Sequence, residues 1–236
     1  MGAAILQLRS EIQARFDIPL EIRKLQGTRQ FSTGIPAIDV LTDGGIPRGT
    51  LTEICGTESS GRTALMFTLL GNATRGGECC AWIDAAGAFD PQSACDAGVD
   101  LERVLWVNCG GNAEHALKST DLLIQAGGFG LVVMDLADTP AVTARRISMT
   151  SWFRLRRAVE HTPTVLLVVE QQPHAKTCAS LTMEMRCERA AWSGTGRPER
   201  PPQAESLPHN LLRGIRVRVE RRKPVPAIAA TFESRW

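Results

Sequence analysis

The sequence predicts an α/β fold, with a mostly parallel central sheet, helices on both faces, and antiparallel strands toward the C-terminal end. Three observations predict it. Residues 51–64 read LTEICGTESSGRTA: an apolar run, then Gly56, four residues, and Gly61-Arg62-Thr63. This is the spacing of a phosphate-binding loop, with Arg62 where the pattern wants Lys. In such a loop the backbone N–H groups and the start of the next helix converge on phosphate oxygens. The second observation is that short β-branched and apolar runs alternate with helical stretches, as in a parallel sheet covered on both faces. The third is the apolar run LVVMD, ending in Asp135. A carboxylate at such a strand end is the place for the second magnesium-site residue.

The elements follow in order. Ile5, Leu8, Ile12 and Phe16 recur at helical spacing, so residues 3–16 read as an amphipathic N-terminal helix, ended by Asp17-Ile18-Pro19. Its apolar stripe has two open roles: packing on its own domain, or serving as an arm against a neighbouring subunit. Strands are expected at 51–55, 79–84, 104–108, 131–135 and 164–170, and helices at 63–73, 92–97, 113–125 and 144–160. Residues 181–190 and 214–222 alternate apolar and polar side chains, which suits antiparallel strands with one wet face. Residues 227–233 read as a last edge strand. Residues 193–208 are rich in Pro, Gly and charge and read as an exposed loop. The expected organisation is a helix and linker over 1–31 and one core domain over 32–236, with no separate C-terminal domain.

Composition excludes several function classes. A chain of 236 residues can bury a sizeable core. Its 43% hydrophobic and 22% charged residues are ordinary for a soluble domain. A net charge of +2 gives no general pull on nucleic acid. No apolar run approaches a membrane span, and the N-terminal stretch has no cleavable signal pattern, so a cytoplasmic location without a membrane partner is expected. The seven Cys include the adjacent pair Cys79-Cys80 and no CxxC spacing, which argues for reduced thiols. The four His are scattered without metal-ligand spacing.

The segment FSTGIPAIDVLTDGGIPRGTLTEICGTESSGRTA, the segment CCAWIDAAGAFDPQSACDAGVDLERVLWV, and RVRVERRKPVPAIAATF near the C-terminal end together resemble the RecA recombinase family. The resemblance runs from about residue 5 to 232. It implies a RecA-type phosphate-loop ATPase core. It also implies nucleotide contacts from Gly56, Thr57, Glu58, Ser59, Ser60, Gly61, Arg62 and Thr63, with Thr63 and Asp135 at the magnesium positions and Gln171 at the γ-phosphate-sensing position. Arg221 and Lys223 fall on basic positions that reach a neighbouring subunit's ATP. The implied cofactors are ATP and magnesium, bound weakly or not at all.

The departures from the family carry the functional expectation. Arg62 is planar, longer and more weakly hydrated than the Lys it replaces. Ala86 falls where the family carries the Glu that activates the attacking water, and alanine can neither accept a proton nor orient water. The stretches 136–144 and 172–180 are much shorter than the family's DNA loops. Arg145, Arg146, Arg154, Arg156 and Arg157, and further on Arg216 and Arg218, read either as solvated faces or as contacts to DNA or a partner. A RecA core with short loops and a degraded ATP site looks like the ImuA proteins. These are RecA-like partners of a catalytically silent polymerase-like protein and a replicative-type polymerase in damage-induced translesion synthesis. The resemblance thus implies an accessory role near the nucleoid, with those mutasome proteins and RecA itself as partners, weak DNA binding, and self-association through the N-terminal helix. Two alternatives stand beside it: a divergent ATP-dependent, DNA-binding recombinase, and an inhibitor of cell division resembling SulA.

Overall fold

A computed structural model describes residues 2–16, 30–192 and 212–235. The expected loop at 193–208 and the helix stop at Asp17-Ile18-Pro19 lie outside the described residues. The elements begin with helix α1 (Gly2–Phe16), strand β1 (Gln30–Phe31), α2 (Pro36–Leu41) and β2 (Ile46–Pro47). The phosphate loop joins β3 (Thr50–Gly56) to α3 (Arg62–Arg75), followed by β4 (Cys79–Asp84), α4 (Pro91–Asp96) and β5 (Val104–Asn108). Then come α5 (Ala113–Ala126), β6 (Phe129–Asp135), α6 (Ala141–Arg145), α7 (Met149–Val159) and β7 (Val165–Glu170). The chain closes with β8 (Leu181–Trp192), β9 (Leu212–Lys223) and β10 (Ile228–Arg235).

The main sheet has eight strands in the order β10-β9-β8-β3-β7-β6-β4-β5. From β8 to β5 every pairing is parallel; β9 and β10 add antiparallel strands at one end. The apolar run of β7 explains its central place. Val165, Leu167 and Val169 face one core, Leu166 and Val168 the other, and all five are buried. A strand covered on both faces needs apolar residues at every position.

One face is covered by α3, whose Leu65, Met66, Leu69 and Leu70 pack with Trp82, Val133 and Leu167. The other is covered by α5 and α7, with Ile124, Trp152 and Leu155 against Val132 and Leu166. Helix α1 joins this second face. Ile12 is buried there, and Leu8 and Phe16 are partly buried against the same cluster. Of the two roles open for the helix, packing on its own domain is the one seen in this chain.

Two local features differ from the sequence reading. The helix expected over 144–160 is divided into α6 and α7. Ser148 caps α7 by accepting the Ser151 N–H at 3.2 Å, and such a side chain offers the backbone an alternative to continuing the helix. The short β1–β2 ribbon and α2 were not expected. They are organised by Asp39, which accepts from the Ser32 hydroxyl at 2.7 Å, the Thr33 N–H at 2.8 Å and the Thr33 hydroxyl at 2.7 Å. The Ser32-Thr33-Gly34 stretch and Asp39 thus act together as a structural clasp.

A second clasp ties this ribbon to the sheet. Arg48 makes a two-point ion pair with Glu78, at 2.6 and 3.0 Å, and donates to the Pro163 carbonyl at 3.0 Å. Its guanidinium lies over the Phe31 ring, 5.2 Å from the centroid. Removing one partner strands a largely buried charge, which costs more than the pair's net contribution. Glu78→Ala should therefore lower stability by about 3 kcal/mol in urea unfolding. A change within experimental error would show that the clasp is not needed for folding.

Candidate nucleotide site

Parallel strands bring their C-terminal ends to one edge, where open α/β sheets place their ligands. Here that edge collects Gly56 from β3, Asp84 from β4, Asp135 from β6 and Glu170 from β7. Backbone bonds knit the strand ends together: Ala85 N–H to the Asp135 carbonyl at 3.1 Å, and Leu136 N–H to the Val169 carbonyl at 2.8 Å.

The phosphate loop has the shape its glycines require. Gly61 has φ 92°, and a Cβ there would lie 2.7 Å from Val217 of β9. A Cβ on Gly56 would lie 2.5 Å from the Ser60 hydroxyl oxygen and 2.6 Å from the Met185 carbonyl. Both positions therefore exclude a side chain. No side chain caps the start of α3, so its first-turn N–H groups keep their affinity for an anion. Thr57, Glu58, Ser59 and Thr63 are exposed, and Ser60 is buried.

Arg62 departs from a phosphate-binding side chain. It is only 7% exposed, and its Nη1 meets no hydrogen-bond partner among the described residues. Burial lowers its pKa, opposed by Asp135 and Asp138. These groups line one cavity of about 150 Å³ with Glu58, Ser59 and Thr63 on its polar side. Phe67, Trp82 and Phe89 form an apolar wall, with Trp82 and Phe89 5.0 Å apart between ring centroids. The Trp82 Nε1–H is also buried without a partner. Trp106 lies 5.4 Å from Phe89 between ring centroids, tilted by 49°, and is 41% exposed on the edge strand.

Asp84 shapes the loop beside this cavity. Its carboxylate accepts the N–H groups of Gly87 at 2.6 Å, Ala88 at 3.1 Å and Phe89 at 2.9 Å. Ala86 is exposed in that loop and offers only a methyl group. Asp135 accepts the Ala137 N–H at 2.9 Å, and burial pushes its pKa up to about 6. Gln171 donates to the Ala137 carbonyl at 3.1 Å, which ties it to the chain that follows β6.

A magnesium ion needs a near-octahedral oxygen shell that keeps several waters. Thr63 and Asp135 are the residues that would hold such an ion, and both line the cavity with Arg62, whose single positive charge equals that of the Lys in the loop pattern.

Behind the loop lies a buried acidic group that the sequence reading missed. Glu53 accepts the His174 N–H at 2.8 Å, the Ala175 N–H at 2.5 Å and the Thr182 hydroxyl at 3.1 Å. Glu170 meets His174 Nδ1 at 2.6 Å. Glu53 is fully buried and Glu170 nearly so. Burial, with Glu53 nearby, pushes the Glu170 pKa up to about 7, and the bond to Glu170 raises that of His174. Burial first, then these carboxylates, raise the Cys55 thiol. One signal was present: Glu53 interrupts an apolar strand, and Glu170 ends another.

The remaining candidates lie away from the cavity lining. Arg221 pairs with Asp43 at 2.8 Å, and Lys223 donates to the carbonyls of Lys176, Thr177 and Ala179. Three arginines of β9 pair with glutamates of β8, of β10 and of β9 itself. Arg216 pairs with Glu233 at 2.6 Å, Arg218 with Glu188 at 3.8 Å, and Arg222 with Glu184 and Glu220, both at 2.9 Å. On α7, Arg154 pairs with Asp121 of α5 at 3.5 Å. Arg145 reaches Gln172 at 3.4 Å. Arg146, Arg156 and Arg157 are exposed and form no ion pair among the described residues.

Comparison with known proteins gives a consistent picture. The model of the RecA N-terminal domain family matches residues 13–146. Protein RecA of Acinetobacter baumannii is 36% identical over 136 residues, 57% of this chain and 39% of that protein. Protein RecA of Clavibacter michiganensis subsp. michiganensis is 45% identical over 104 residues, 44% of this chain and 28% of that protein. Protein RecA of Streptomyces venezuelae is 35% identical over 136 residues, 57% of this chain and 36% of that protein. The chain thus matches well under half the length of these relatives. Among the described residues no helix is long and apolar enough to cross a membrane.

The buried Glu170–His174 pair gives stability a definite pH dependence. Glu170 is raised from its ordinary 4.5 to about 7, and His174 is raised above 6.5, so the folded chain holds protons that the unfolded chain releases. Such groups contribute stability that is full below the unfolded pKa values and is lost as pH rises through the folded ones. Stability should therefore fall between pH 5 and pH 8, and Glu170→Gln should flatten that fall in urea titrations across this range. An equally steep fall in the variant would place the titrating group elsewhere.

Proposed function

Since this chain belongs to the RecA N-terminal domain family, we propose that it is a non-catalytic accessory protein of damage-induced translesion DNA synthesis, most like the ImuA proteins. It scaffolds mutasome partners rather than turning over ATP. The observation that carries this reading is the phosphate loop itself. Its backbone is intact and its helix start uncapped, yet Arg62 is drawn into the fold and Ala86 stands in the neighbouring loop where the family carries its base. Such a site is suited to weak nucleotide binding as a structural ligand. It is poorly suited to hydrolysis, because positioned charges supply most of the catalysis in phosphoryl transfer.

The basic positions support the same reading. Arg216 and Arg218 are matched by acidic partners, and Arg221 and Lys223 are held within the chain. This leaves Arg146, Arg156 and Arg157 as the arginines best placed for DNA phosphates or an acidic partner surface. Binding to single strands should then be weak and fall steeply with salt, as phosphate-only contacts do. Tight binding at physiological salt, accompanied by ATP-dependent filaments, would favour a divergent recombinase.

Affinity purification from cells exposed to DNA damage tests the partners. The expected companions are a polymerase-like protein and a replicative-type polymerase, with RecA a further candidate. Recovery of a cell-division protein in their place would favour the inhibitor reading. Helix α1 is the segment we assign to partner or self-association. Its Ile12 is buried against its own domain, whereas Leu6 is 66% exposed. Leu6→Asp should weaken recovery of the partners and leave thermal unfolding unchanged. Unchanged recovery would move the contact to another surface.

A further inference from the structure

We propose that Glu53, Glu170 and His174 form a proton-operated latch, which holds residues 173–180 against the sheet and releases them once the cluster has lost its protons. The latch is a device of the fold and does not depend on what the cavity binds.

Two carboxylates from neighbouring strands converge on one turn. Glu53 stands on β3, and Glu170 ends β7, its parallel neighbour. Glu53 Oε1 accepts the N–H groups of His174 at 2.8 Å and Ala175 at 2.5 Å, and its Oε2 accepts the Thr182 hydroxyl at 3.1 Å. Glu170 Oε2 meets His174 Nδ1 at 2.6 Å, and its Oε1 lies 3.4 Å from the His174 backbone nitrogen. These two acids fasten the start of the segment. Its far end is fastened by groups that do not titrate near neutrality. The Ser180 N–H donates to the Leu51 carbonyl at 2.9 Å, and Lys223 donates to the carbonyls of Lys176, Thr177 and Ala179. Between the two ends, Ala175, Cys178 and Ala179 are buried in the cluster that holds Leu51, Trp152 and Leu155.

The chemistry gives the latch a direction. With a proton on the imidazole or on one carboxyl group, the cluster carries one net negative charge. With none, two ionised carboxylates share a buried site, which like charges resist. Moving the segment outward lets water reach them. Burial, with Glu53 nearby, holds Glu170 at about 7, and the bond to Glu170 raises His174. Both folded values are raised, so the latch is firmest at low pH and weakens as pH rises through them. The other charged groups around the cluster are Arg145 of α6, Arg156 of α7, Lys223 of β9, Glu184 of β8 and Arg62 of α3. Side chains of these types ordinarily keep one charge state between about pH 5 and pH 8. The Cys55 thiol of β3 is raised, first by burial and then by the carboxylates, and stays neutral.

Hydrogen–deuterium exchange of the full chain, read by mass spectrometry and corrected for the intrinsic pH dependence of amide exchange, tests the latch. Between about pH 5.5 and about pH 8, protection of peptides covering 173–180 should fall by about tenfold or more, since one unit of pKa difference is tenfold in an equilibrium. Peptides from α3 and β6 should keep their protection. Glu170→Gln and Glu53→Gln each remove one of the two acids, and either variant, checked for folding by circular dichroism, should lose most of the fall. Unchanged protection of 173–180 in the wild type would overturn the proposal, and so would a fall shared equally by α3 and β6. A folded variant that keeps the full wild-type fall would overturn it too. The wild-type comparison decides the matter even where a variant does not fold.

Discussion

Parallel pairing of β3, β7, β6 and β4 is the constraint on which the rest of the molecule depends. Because these strands run the same way, their last residues share one edge, and each strand ends in a group that chemistry can use. The sheet itself is held by apolar residues on both faces, so those ends need contribute nothing to the core. Gly56, Asp84 and Asp135 can then be spaced by the register alone. The helices cover the two faces and leave that edge to the loops. This explains how the phosphate loop keeps its backbone shape while its charged side chain differs from the family pattern.

Electrostatics then divides the molecule into an inner and an outer system. Inside, Arg62, Glu53 and Glu170 are buried and Asp135 is half-buried, all close to the sheet edge. Each is tolerable only because hydrogen bonds or an opposite charge partly replace its hydration. Glu53 receives three donors and Glu170 holds His174, whereas Arg62 keeps an unmatched donor. Outside, β8, β9 and β10 carry arginines and glutamates that pair within and between strands. Exposed pairs of this kind contribute little to stability. Their effect is to neutralise a stretch of sequence that would otherwise be a basic face.

The fold was legible in the sequence because its signals are local and repeated. The apolar runs of β3, β6 and β7, the loop glycines, and the alternation in β8 and β9 each follow from the elements they build. The broken helix at Ser148 was less visible, since one capping serine competes with a continuous apolar stripe. The β1–β2 ribbon and α2 were missed because they depend on Asp39, whose bonds join residues seven apart in sequence. At the site, the loop and Asp135 could be read from spacing. The acidic pair could not be assembled from the sequence, since Glu53 and Glu170 meet only through the pairing of β3 with β7. The basic stretch near the C-terminal end was readable as composition, but its neutralisation depends on strand register.

The central claim is that an intact phosphate loop has been refitted for binding without turnover. Steady-state ATP hydrolysis, measured with and without single-stranded DNA, tests it most directly when the wild type is compared with Arg62→Lys, Ala86→Glu and the double variant. The account predicts background rates for the wild type and for each single variant, with hydrolysis emerging only when both groups are restored. Brisk hydrolysis by the wild type, abolished by Thr63→Ala, would contradict it.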